Sequence, residues 1–212
     1  MGFFEVPALA LRRARLADEL PVETPAVFEQ LSGQVLALPD PGELTAEQRL
    51  GAVQAAARLQ TMLEAYQTQV AGVCDAQQDS RVFAAGTTGS MVAALTGQNR
   101  AVGSAIVGRA RDLRGMPHVA DAYRAGEITG RHVHLLCRAA PRLRHFPVLE
   151  ADLVAAAAVI EPVVLAQVID VLITQDRREA PDEDLRGARA KRGLHLSDLG
   201  NGLYRVDGHL DQ

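Results

Sequence analysis

Tryptophan is absent from this 212-residue chain, and all aromatic residues together make up only 4% of it. The hydrophobic share is still 48%, enough for a core, but it is mostly alanine, leucine and valine. Alanine is the best helix former, so this composition argues for packed helices rather than sheets. The length allows one large domain or two small ones. Cysteine is scarce as well. Cys74 and Cys137 sit in apolar helical contexts and read as small buried hydrophobes. Two such thiols make no disulfide framework, which fits a reducing compartment. No lysine- or arginine-led signal peptide with a small-residue cleavage site is visible. The most apolar run, Leu153 to Ile173, is interrupted by Glu161-Pro162 and carries Asp170, so no membrane span is expected. These absences place the protein in the cytoplasm, with no membrane partner.

Catalytic signatures are missing too. There is no P-loop, no dinucleotide fingerprint after a strand, no CxxC, no HExxH and no EF-hand loop. His132 and His134 are two apart on a helix and point to different faces, so they cannot share a metal. His118 and His145 lack carboxylate or cysteine neighbours at ligand spacing. Asp182, Glu183 and Asp184 cluster at a helix start, where the dipole favours them. No catalytic residue, no metal site and no cofactor is expected in this chain.

What is present is a succession of helix signals. Residues 1–42 form a proline-rich lead-in with helices expected over Ala8 to Leu20 and Ala26 to Leu38, ending in the Pro39–Gly42 loop. Thr45 and Gln48 make a capping box that opens the longest helix, about Ala46 to Gln78. Along it Ala52, Ala56, Leu59, Leu63, Tyr66, Val70 and Val73 recur at a 4-3 spacing, a seam for another helix. That partner is either in an intramolecular bundle or in a homodimer through the 46–78 helix. Helices follow over Gly89 to Leu95, from Gln98 or Asn99 to Leu113, and over His118 to Ala125, where Gly126 takes the position after the cap. Thr129 caps the next, to about Ala140. Val148 to Val159 and Pro162 to about Arg177 complete a helical domain over 43–180; in the last, Val164, Leu165, Val168, Ile169, Leu172 and Ile173 form a wide apolar face. In the segment 181–212 a charged helix is expected over Asp182 to Lys191. Alternating residues on either side of Gly200-Asn201-Gly202 then read as a β-hairpin. The fold class is therefore mainly α: a multi-helix bundle with one long helix, a helix-turn-helix-like segment and a C-terminal β-hairpin. The abrupt stop after the hairpin suggests a fragment or a truncated reading frame.

Charge gives the functional clue. The chain carries a formal charge of −4, yet nine arginines lie between Gly86 and Arg144, opposed there only by Asp112, Asp121 and Glu127. Ala93 and Gly97 have the small-residue-to-glycine spacing of a helix-turn-helix, and Val92 and Ile106 suit its apolar positions. Gln98 and Gly103 fall where hydrophobes are usual, so the match is partial, and helical hairpins of this kind are common without DNA. If the second helix enters a major groove, Gln98, Asn99 and Arg100 lie near bases. Arg109, Arg111, Arg114, Arg131 and Arg138 then meet phosphates. The competing reading of each arginine is a solvated face or a favourable charge at a helix C-terminus.

Several stretches together resemble a known family. They are Leu44-Thr-Ala-Glu-Gln, Gly89 to Gly97, Arg109 to Pro117, Ala122-Tyr-Arg-Ala-Gly-Glu-Ile-Thr129 with His132, and Tyr204-Arg-Val-Asp-Gly-His-Leu-Asp211. In this order, over roughly Gly42 to Gln212, the chain resembles the 13E12 repeat family, or domain of unknown function 222, of actinobacteria. In that family a C-terminal HNH nuclease module commonly follows. Its His and Asn residues surround one divalent metal, and they match no position here. The resemblance thus implies a non-catalytic DNA-targeting or scaffold domain of an HNH-endonuclease-type protein of a mobile or repeated element, with any divalent metal belonging to the nuclease module. The alternative is a helical dimerisation or interaction protein that binds no nucleic acid.

Overall fold

The computed structural model describes residues 25–81 and 86–178, with side chains to Asp176, and the backbone of two strands, Gly193–Asp198 and Tyr204–His209. The helices expected over Ala8 to Leu20 and Asp182 to Lys191, and the Gly200–Gly202 turn, lie outside the described residues. Among those described the chain is mainly helical, with eight α-helices: α1 Ala26–Leu36, α2 Ala46–Gln77, α3 Thr88–Leu95, α4 Arg100–Leu113, α5 Pro117–Arg124, α6 Gly130–Ala139, α7 Phe146–Ala157 and α8 Pro162–Arg178. Strands β1 Gly193–Asp198 and β2 Tyr204–His209 pair antiparallel, Gly193 opposite His209 and Asp198 opposite Tyr204. The chain divides into two compact units, one up to Arg111 and one from Asp112.

In the first unit, α2 begins at a complete capping box. The Thr45 N–H donates to Gln48 Oε1 at 2.8 Å and the Gln48 N–H to Thr45 Oγ1 at 3.2 Å. The helix stops where Gln78 adopts a left-handed backbone, φ 62°. Its buried side is a row of small residues, Thr61, Ala65, Thr68 and Ala71. The two threonines can be buried because their hydroxyls donate back to Ala57 O and Glu64 O. A Cβ added at Gly72 would sit 3.0 Å from the Ala110 methyl, so α2 lies close against α4. Ala71, Val92, Ile106 and Val107 make the core there. The larger 4-3 seam of α2 is on the other side: Leu59, Leu63, Tyr66, Val70 and Val73 are between 41% and 58% exposed. Within this unit the 4-3 repeat therefore does not mark the packed face. Small residues win it, since they allow the closest helix approach.

The second unit has the larger core. Tyr123, Ile128, Leu136, Leu153 and Leu165 are all but inaccessible. α6 packs on α8, and α5 on α7. Of the wide apolar face expected on the last helix, Leu165, Val168, Ile169, Leu172 and Ile173 are buried, and Val164 is half-buried. Two helices start earlier than their apolar pattern suggests, α5 at Pro117 and α7 with Pro147 in its first turn. Proline's fixed φ and missing N–H suit that position.

Candidate nucleic-acid interface

The turn between α3 and α4 is built by capping at both ends. Thr87 Oγ1 accepts the Ser90 N–H at 3.1 Å and starts α3. At its end the Gln98 N–H reaches Ala93 O (3.0 Å) and the Gly97 N–H reaches Ala94 O (3.3 Å). This is a Schellman stop, and Gly97 supplies the positive φ of 65° it needs. Asn99 then opens α4 by accepting the Val102 N–H at 3.0 Å. The two helices touch backbone to backbone. A Cβ on Gly103 would fall 2.1 Å from Gly89 O and 2.8 Å from Ala93 N. Gly103, a poor fit to a helix-turn-helix hydrophobe from sequence, is thus the residue that lets α4 seat against α3.

Gln98, Asn99 and Arg100 are all exposed at the start of α4. The Asn99 carbonyl oxygen is used by the cap, which leaves its NH₂ group as the part free to meet a ligand. Arg109 and Arg111 lie elsewhere. Arg109 pairs with Glu64 of α2 through Nη1 and Oε1, its side chain 19% exposed. Arg111 grips Asp75 with two parallel bonds, Nε to Oδ2 at 2.8 Å and Nη2 to Oδ1 at 2.7 Å. That hydrogen bonding, and then the carboxylate charge, push the Arg111 guanidinium above its ordinary value. Phosphate contact at either arginine competes with an acid already in place. The fixed α2–α4 ion pairs could not be read from the sequence, where the partners are 45 and 36 residues apart.

In the second unit Arg114 is exposed just beyond α4. Arg131 and Arg138 stand on α6 at i and i+7 with His134 between them, all three exposed. The opposite side of α6 holds the buried His132, Val133, Leu136 and Ala139. Arg131 and Arg138 have no acidic partner among the described residues. Arg142 and Arg144 are exposed shortly after, whereas Arg124 is paired with Asp121 at 2.6 Å. Sequence reading did not include His134 in this row; its i+3 offset from Arg131 is the signal that places it there.

His132 has a different task. It takes the third position of the Thr129 capping box, where Glu or Gln is usual. The Thr129 N–H donates to its Nδ1 at 3.2 Å, and its Nε2 lies 3.0 Å from Ile160 O. A backbone N–H can only donate and a carbonyl can only accept, so Nε2 carries the proton. Burial lowers the His132 pKa, partly offset by the bond to Ile160. Glu150 of α7 is buried and accepts the Val119 N–H at 3.0 Å, capping α5 from outside. Cys74 and Cys137 are half-buried; burial, then Asp79, raises the Cys74 thiol. No group of three or more His, Cys, Asp or Glu among the described residues could hold a metal ion. No helix among them is long and apolar enough to cross a membrane.

A family model described as a domain of unknown function, DUF222, matches residues 46–212. No curated protein and no solved structure matches the chain.

Proposed function

The chain belongs to the DUF222 family, and from that premise we propose that it is the non-catalytic DNA-targeting or scaffold domain of an HNH-endonuclease-type protein of a mobile or repeated element, working in the cytoplasm. The observation that carries this reading is the pair of arginines on α6. Arg131 and Arg138 share one exposed face, with His134 between them, of a helix whose other face is fixed in the core. A row held on a rigid helix presents charge without the ordering cost of a flexible tail. Its sign is opposite to that of the whole chain, which suits a polyanion rather than general solubility.

In this reading Arg131 and Arg138 meet phosphates, as does Arg114. Gln98 and Arg100 lie near base edges, with the Asn99 NH₂ beside them, if α4 enters a groove. Arg109 and Arg111 hold α4 on α2 and so contribute position first and charge second.

The test is fluorescence anisotropy of a labelled duplex titrated with the purified chain at two salt concentrations. The three phosphate contacts lower affinity about 40-fold between about 50 and 200 mM monovalent salt. Absence of binding at low salt, or binding indifferent to salt, refutes the proposal.

A further inference from the structure

In the first unit, α2 keeps its larger apolar side chains outside. On α2, Leu59, Leu63, Tyr66, Val70 and Val73 follow the 4-3 repeat and stay 41–58% exposed, and Leu50 and Val53 reach 74% and 71%. From Ala46 to Gln60 the helix buries nothing, although an isolated helix of that length is marginal in water. α1 covers little of this face. Phe28 meets Tyr66 at 5.7 Å between ring centroids, yet Tyr66 remains 48% exposed and Val27, Leu31 and Val35 of α1 are exposed too.

We infer that this face is the contact between two copies of the chain, which pair through the Leu59–Val73 seam of α2. A 4-3 repeat of apolar residues fits a helix of the same repeat, and a second copy supplies one. At their exposed fractions the five seam residues from Leu59 to Val73 offer roughly 500 Å² a copy, or about 1,000 Å² over two copies, the size at which a specific interface begins. The charge pattern also permits self-pairing. Between Arg58 and Asp75 the only charged residue of α2 is Glu64, and Arg109 neutralises it. The flanking positions are glutamines such as Gln60 and Gln67, so two copies do not repel each other.

Sedimentation equilibrium of the full chain tests this. The expected species has twice the 22.7 kDa mass of one chain, and its association does not weaken with salt, unlike DNA binding. Leu63→Glu places like charges across the seam and weakens the dimer about 100-fold or more. Because Leu63 is 52% exposed, the helical circular dichroism of the monomer stays unchanged. Leu63→Gln, which adds no charge, gives a smaller weakening in the same direction. A wild-type monomer up to about 100 μM, where a specific interface is occupied, overturns the inference and assigns the seam to another part of the chain or to a different protein. A Leu63→Glu dimer as tight as wild type overturns it equally.

Discussion

Replacing His132 should lower stability and remove part of its pH dependence. The ring is 6% exposed. It joins the start of α6 to the turn before α8 by accepting from Thr129 and donating to Ile160. His132→Ala leaves a buried N–H and C=O without these partners and opens a cavity. The loss should be about 3 kcal/mol. His132→Gln restores the usual capping-box residue and should cost only about 1 kcal/mol, the bond to Ile160. The pH effect has a definite sign. Burial lowers the folded-state pKa below the ordinary 6.5, so the unfolded chain takes up the proton first. The contribution of neutral His132 is complete above the unfolded pKa and is lost as pH falls through the folded one. The slope from this group is at most about 1.4 kcal/mol per pH unit. Urea unfolding followed by far-ultraviolet circular dichroism between about pH 8 and pH 5 reads both effects. If acidification costs His132→Gln as much stability as wild type, the assigned tautomer and its linkage are wrong.

Gly103→Val should prevent α4 from seating on α3, because even a Cβ collides with Gly89 O and Ala93 N. A loss of about 3 kcal/mol or more in the urea midpoint is expected, and a variant as stable as wild type contradicts the backbone contact. Glu150→Ala strands the buried Val119 N–H at the start of a helix whose N-cap, Met116, supplies no side-chain bond. Stability should fall about 2 kcal/mol and the Val119 amide should exchange faster with solvent; unchanged protection at Val119 would remove Glu150 from this role.

The ends of elements were legible in the sequence because local chemistry decides them. Thr45 with Gln48, Gly97 and Gly126 with their left-handed backbones, and Pro162 at the head of α8 mark boundaries within a few residues. The apolar face of α8 was equally plain. What the sequence hid was which faces meet. On α2 the large 4-3 seam outweighed Thr61, Ala65, Thr68 and Ala71 in the pattern, yet the small residues take the packed side because they permit close approach. Gly103 looked like a defect for the same reason. Long-range pairs such as Arg109 with Glu64 and Arg111 with Asp75 leave no local mark, and they divide the arginines into those holding the fold and those facing outward. Glu150 reads as an ordinary surface acid until α5 is placed beside α7.

The central claim is that α6 presents a phosphate-binding row, and the salt dependence of DNA affinity measures it most directly. The slope of log affinity against log salt should be about −2.7 for the contacts of Arg114, Arg131 and Arg138, and shallower by about 1.8 in Arg131→Ala/Arg138→Ala. A double variant with the wild-type slope and affinity would show that these arginines only solvate a surface.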